Sequence, residues 1–235
     1  MSMGDYKNSI AICAPQPHWD AVAQRLTTCR NIDVIRIYDP AELEALANGQ
    51  TDRLLFFPHW SWSVPEKIFT KHECIMFHMT DLPFGRGGTP LQNLISRGFM
   101  ETKLTAFRCE KELDSGPIYM KRPLSLEGTA REIMERAAKI TEQMIIELIG
   151  SSRTTSPQEG VGSYFKRRTP DESEITWEGS LKSIFDHIRM LDDDYYPRAF
   201  IETENFRLTF SDAKTEGDVL SAKVLISNKE HHDET

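Results

Sequence analysis

The stretch "ECIMFHMTDLPFGRGGTPLQNLI", Glu73 to Ile95, reads as a strand, a tight loop and a helix start in direct succession. Glu73–Met79 is a short apolar run of strand length. Pro83 and the knot Gly85-Arg86-Gly87-Gly88 then break any regular element. Thr89-Pro90-Leu91-Gln92 has the form of a capping box with proline at the first helical position, and Leu94 and Ile95 follow on its apolar side. A buried run that passes into a capped helix through so few residues is half of a β–α–β unit. Core packing gives no reason to put His78 in that turn.

The same order recurs toward the N-terminus. "SIAICAP" (Ser9–Pro15) is a buried strand, and "HWDAVAQRLTTC" follows with Ala21, Val22, Leu26 and Cys29 on a helical period. "IDVIRIY" is strand-like and leads into "DPAELEALA", where Asp39 is an N-cap, Pro40 takes N1 and Glu42 takes N3. "RLLFF" is a further buried run. The alternation predicts an α/β fold: a Rossmann-like, mostly parallel sheet with helices on both faces, plus a small C-terminal α+β subdomain.

Beyond Ile95, "LTAFRCEKELDSGPIYMKRPLSL" is mostly extended, broken by a turn at Asp114-Ser115-Gly116-Pro117. The longest helix starts at Thr129, with Glu132 completing a second capping box. Ile133, Ala137, Ile140, Met144 and Leu148 share one face, and Gly150 ends it. The expected domains are a first one over 1–150, a polar linker over 151–163, a subdomain over 164–229 and a disordered tail over 230–235. The subdomain reads as an extended segment near Tyr164–Arg168, a helix capped by Ser180 with Ile184, Ile188 and Leu191, and two strands, "AFIETENFRLTF" and "VLSAKVLI".

The 235 residues suit one domain with a small appendage. No apolar run approaches the ~18–20 residues of a membrane span. Asp5, Lys7 and Asn8 interrupt any leader-like apolar stretch, so a cytoplasmic location is the expectation. Cys13, Cys29, Cys74 and Cys109 lack C-x-x-C spacing and read as free thiols, with no metal site expected. The net charge of −8 argues against a nucleic-acid partner, although Lys166, Arg167 and Arg168 form a local basic cluster suited to a small anion.

The glycine knot fails the dinucleotide fingerprint, since Pro90 stands at the third glycine, and it lacks the Gly-Lys-Ser/Thr of a phosphate loop. Two readings remain: a tight loop entering a helix, or a backbone nest for a small polar ligand. Trp60 and Trp62 flank Ser61; one serves as core filler, or the pair walls a flat heterocycle. A lone histidine after a strand is more often structural. Its place before a proline- and glycine-rich turn favours a site, because ligands in open α/β sheets bind beyond the carboxyl ends of strands. His78 and the Asp114 turn both reach such a crevice.

Together these pieces resemble the folate-dependent N-formyltransferase family, which includes methionyl-tRNA, glycinamide ribonucleotide and nucleotide-sugar formyltransferases. The resemblance rests on Met76-Phe77-His78, on Thr80-Asp81-Leu82-Pro83-Phe84-Gly85-Arg86-Gly87-Gly88-Thr89-Pro90, and on Leu113-Asp114-Ser115-Gly116-Pro117-Ile118. "IRMLDDDYYPRAFI" (Ile188–Ile201) is similar to the start of the family's C-terminal region. One position departs: the family's Asn is Met76 here, and a thioether donates no hydrogen bond. The oxyanion donor is then His78, a backbone N–H, a water or another side chain. The stretch is most similar to sugar formyltransferases of the pseudaminic-acid type, which also lack that Asn.

The resemblance implies N10-formyltetrahydrofolate as donor and no metal. It implies His78 and Asp114 as catalytic residues. Trp60, Ser61, Trp62, Asp81, Leu82, Arg86, Gly88 and Leu113 would hold the folate, and Thr80, Lys166, Arg167 and Arg168 the acceptor. The expected acceptor is the primary amine of a nucleotide-linked amino sugar, a 4-amino-4,6-dideoxyhexose. The expected partners include no nucleic acid and no membrane, and a homodimer is foreseen. Alternatives are a formyltetrahydrofolate hydrolase, a glycinamide-ribonucleotide-type enzyme, and a non-catalytic α/β ligand-binding module in which His78 and Asp114 are structural.

Overall fold

In the computed structural model, which describes residues 9–47, 49, 53–176 and 178–229, β1 (Ser9–Cys13), α1 (His18–Arg30), β2 (Asp33–Ile37), α2 (Pro40–Leu46), β3 (Leu54–Phe57), α3 (Glu66–Phe69) and β4 (Glu73–His78) alternate without exception. A two-residue strand β5 (Arg86–Gly87) and helix α4 (Pro90–Ile95) follow, then β6 (Glu101–Arg108), β7 (Ile118–Ser125), α5 (Ala130–Gly150) and a second two-residue strand β8 (Tyr164–Phe165). Helix α6 (Leu181–Arg189) precedes β9 (Phe200–Glu202), β10 (Phe206–Glu216) and β11 (Val219–Asn228). The 1–8 segment and the 230–235 tail lie outside the described residues.

The main sheet runs β2-β1-β3-β4-β6-β7. β1 pairs in parallel with both β2 and β3, and β3 with β4, whereas β4 and β6 are antiparallel. All four residues of β3 are buried, as are four of the five in β1. Strands covered on both faces need such continuous apolar runs, which is why the sequence shows no alternation there. The expected α/β class and the small C-terminal sheet are both present.

Contacts divide the chain into two units that interleave in sequence. The first holds 1–86, 103–123 and 137–164; the second holds 87–102, 124–136 and 165–235. In the second unit, β11-β10-β9 form an antiparallel sheet.

Several helix starts form as their residues dictate. Asp39 accepts from the Glu42 N–H, and Glu42 reaches back to the Tyr38 N–H. Thr129 and Glu132 cap each other reciprocally, and Ser180 accepts from the Ser183 N–H. Each such cap is worth about 0.5–2 kcal/mol. On α5, Ile133, Ala137, Met144 and Leu148 are buried, together with Thr141 and Ile145, while Ile140 is half-buried.

Three local expectations are corrected. Thr89 adopts a left-handed conformation (φ 44°) with no cap bond; its hydroxyl accepts instead from Asn93 and from the Arg168 N–H. Gln92, freed from a box, donates to the Met190 carbonyl. On α1, Ala21 and Cys29 are exposed, because Trp19 and Ala23 fill the buried face with Val22 and Leu26. "AFIETENFRLTF" is two strands, turned at Thr203–Asn205, where Thr203 and Phe206 exchange backbone and hydroxyl bonds.

Candidate functional site

His78 ends β4, opposite Thr105 of β6, and is only 9% exposed. Its Nε2 lies 2.8 Å from the Gly85 carbonyl. A carbonyl only accepts, so the neutral ring carries its proton on Nε2 and presents a lone pair at Nδ1. Nδ1 faces Asp114 Oδ2 at 3.8 Å, too long for a hydrogen bond and close enough for an ion pair once the ring is charged.

Asp114 is held in place by its backbone. It takes φ 50°, a left-handed conformation tolerated by Asp, in the turn between β6 and β7. Gly116 follows where the chain crosses β6; a Cβ there would meet the Arg108 carbonyl oxygen at 1.8 Å. Gln158 then donates to the carbonyls of both Asp114 and Gly116, each at 2.8 Å. The same Gln158 accepts from the Arg86 guanidinium, which also reaches Tyr164.

The loop behind His78 is fastened to the same segment. Ser163 Oγ accepts from the Gly85 N–H, the Ser163 carbonyl accepts from the Arg86 N–H, and the Ser163 N–H donates to Pro83. Ser156 exchanges backbone bonds with Ile118. The stretch read from sequence as a polar linker therefore clamps both halves of the His78–Asp114 pair. Gln158 and Ser163 were missed because they carry no periodicity or motif; Pro157, Gly160 and Gly162 mark turns around them but not their distant partners.

The glycine knot forms a tight loop that the chain itself fastens. The N–H groups of Gly85, Arg86 and Gly88 are all spent on Ser163 and Phe165. Asp81 is likewise engaged, by Lys103 and Lys121. Burial raises its pKa, and the two ammonium groups more than offset this, leaving the carboxyl below its usual range. Leu82 is fully buried, Thr80 is 0% exposed with its hydroxyl unpartnered among the described residues, and Leu113 is exposed. Trp60 fills the core, edge-on to Phe57 and to Trp62, while Trp62 is exposed and Ser61 lies between them on the surface. Gly88, Lys166, Arg167 and Arg168 belong to the second unit, where the Lys166 carbonyl binds Asn93 and Arg168 pairs with Glu172.

Met76 packs against Leu82, Phe107 and Ile118. This position, polar in the resembling family, is apolar here by packing. Met76 is half-buried, so Met76→Asn is expected to destabilise the fold by about 1 kcal/mol, the lower end of the cost of an amide with incomplete hydrogen bonding. Thermal unfolding of the variant checks this; an unchanged Tm would show that the amide finds a partner.

The C-terminal residues 170–227 match the family model for the methionyl-tRNA formyltransferase C-terminal domain. A solved methionyl-tRNA formyltransferase from Clostridium thermocellum is 41% identical, with a TM-score of 0.87, covering 94% of this chain and 100% of that one. The chain belongs to the formyltransferase family. A likely sugar N-formyltransferase from Mycobacterium tuberculosis shares the fold at 19% identity and a TM-score of 0.68, over 84% of this chain and 93% of that one. Methionyl-tRNA formyltransferase of Thermodesulfovibrio yellowstonii is 32% identical over 134 residues, 54% of this chain and 44% of that protein. The chain spans about half the length of the first curated relatives it matches, at 44% and 53%.

No group of three or more His, Cys, Asp or Glu among the described residues is placed to hold a metal ion. No helix among them is long and apolar enough to cross a membrane. The four cysteines are free thiols, and burial pushes the Cys109 thiol up to about 12.

Proposed function

We propose that the protein transfers a formyl group from N10-formyltetrahydrofolate to the primary amine of a nucleotide-linked amino sugar, a 4-amino-4,6-dideoxyhexose. The observation that carries formyl transfer is the buried pairing of His78 Nδ1 with Asp114, in a chain of this family. The donor supplies the formyl carbon. The exposed indole of Trp62 beside Trp60 fits a flat pterin, and the Asp114 turn offers polar backbone.

An amine attacks only when neutral, so a proton must leave it. His78 Nδ1 accepts that proton while Gly85 holds the opposite edge of the ring. The charged ring then has Asp114 as its counter-ion and donates from Nδ1 toward the negative charge on the formyl oxygen; as the tetrahedral carbon collapses the formyl C–N10 bond breaks, and that proton passes to N10 of the departing tetrahydrofolate. Gln158 and Ser163 keep the two groups in register and do not enter the chemistry.

The acceptor assignment rests on charge. A net charge of −8 disfavours the long-range attraction to tRNA phosphates on which nucleic-acid binding draws. Methionyl-tRNA is the second reading, favoured by the relative that is 41% identical. Formyl transfer assayed with dTDP-, UDP- and GDP-linked amino sugars, and in parallel with charged initiator tRNA, decides between them. Turnover of one sugar is expected, with tRNA inert and weakly bound at physiological salt. Formylation of the tRNA would overturn the sugar assignment.

A further inference from the structure

Native folds leave few buried polar atoms without a partner. Seven such side-chain atoms occur among the described residues, and four of them fall on two short segments: Gln16 Oε1 and Trp19 Nε1 after β1, and His59 Nδ1 and Trp60 Nε1 after β3. These segments leave adjacent parallel strands. In the order β2-β1-β3-β4 the chain turns outward on opposite sides of β1 and β3, and that switch point is where an open α/β sheet leaves a crevice at its carboxyl edge.

The two segments are rigidly built. Gln16 stands between Pro15 and Pro17 and is 9% exposed. Arg36 of β2 fastens its loop from below, donating to the carbonyls of Ile12 and Ala14 and to Asp20. Gln16 reaches toward the β3 side, its Nε2 lying 3.5 Å from the His59 carbonyl. His59 is pinned in a left-handed conformation at φ 53°. Burial, with a smaller push from His18, lowers its pKa to about 4, so the imidazole is neutral at physiological pH. The nearest cation, Arg36, is consumed. What remains is a neutral amide oxygen, a neutral imidazole nitrogen and the indole N–H groups of Trp19 and Trp60.

We propose that Gln16 and His59 form a neutral polar subsite at the β1/β3 switch point that binds an uncharged hydroxyl or amide of the acceptor, one strand removed from His78. A hydroxyl satisfies both atoms by giving its one proton to Gln16 Oε1 and accepting with its oxygen from His59 in the tautomer that carries its proton on Nδ1. Gln16 Oε1 only accepts, so the group it meets carries a proton and is not a phosphate or carboxylate oxygen. The subsite rests on the formyl-transfer reading for its occupant, and its test does not depend on turnover.

The test is calorimetric titration of wild type, Gln16→Met and His59→Asn, saturated with tetrahydrofolate, using dTDP- and UDP-linked 4-amino-4,6-dideoxyglucose. dTDP and UDP alone are the controls. Wild type is expected to bind at least one sugar nucleotide more tightly than its nucleotide, and each variant to lose about 3- to 10-fold of that affinity, the worth of one neutral hydrogen bond. Tetrahydrofolate affinity should hold. The apo Tm of Gln16→Met should hold or rise, because the variant removes a buried amide oxygen without a partner at the cost of one long 3.5 Å contact from Nε2, and keeps the shape of the side chain. Sugar affinity unchanged in both variants, or a fall in tetrahydrofolate affinity instead, overturns the subsite, as does the absence of sugar binding by wild type. Sugar binding that the variants weaken, without formylation by wild type, leaves the subsite standing and refutes formyl transfer to that sugar.

Discussion

Replacing His78 by alanine is expected to lower single-turnover formyl transfer by at least about 100-fold, the lower end of what a positioned acid–base group contributes. Tetrahydrofolate binding should survive, because the side chain is spent on Gly85 and Asp114 and not on the loop that carries Trp62. The expectation follows from one geometric fact. The ring's Nε2 is committed to a carbonyl, so Nδ1 is the nitrogen with a lone pair to offer. Glutamine and asparagine are useful comparators, since each restores a hydrogen bond without a titratable nitrogen. The measurement is rapid mixing of folate-saturated enzyme with acceptor, on variants shown to be folded. If His78→Ala keeps more than about a tenth of the rate, the assignment fails and the non-catalytic module gains ground.

Much of this fold is legible from short-range pattern. Buried runs such as "RLLFF" admit little besides a covered strand, and Asp39, Thr129 and Ser180 announce helix starts through bonds made within three residues. Where a distant partner competes, the local rule gives way. Thr89 has the right neighbours for a cap, yet Asn93 and Arg168 take its hydroxyl and the backbone turns left-handed. His78 and Asp114 were legible only as parts of motifs; that their side chains meet across 36 residues of sequence is a property of the sheet, with β4 antiparallel to β6. Gln158 shows the limit. A glutamine in a polar stretch looks like solvent-facing filler, and its role exists only because two carbonyls 42 and 44 residues away converge on its amide. The orphaned atoms of Gln16 and His59 are likewise invisible in sequence, since absence of a partner is a statement about the whole fold.

Asp114→Asn should lose nearly as much as His78→Ala, and combining the two should cost little more than the worse single change. Asparagine keeps the shape of the side chain, and the turn that carries it is set by the φ of 50° and by the Gln158 bonds to backbone carbonyls, neither of which needs the charge. The fold should therefore hold. What disappears is the carboxylate facing Nδ1, 3.8 Å away, so the proton taken from the amine has no counter-ion in a site nearly closed to water. Residues that act as one unit show strongly non-additive losses. If the two worked independently, two losses of about 100-fold each would multiply to about 10,000-fold; as a unit the double variant should stay within about tenfold of the worse single one. Single-turnover rates for the four proteins, with the two single and one double variant checked by thermal unfolding, complete the cycle. A multiplicative double loss would show that Asp114 serves the reaction through the folate or the acceptor and not through His78.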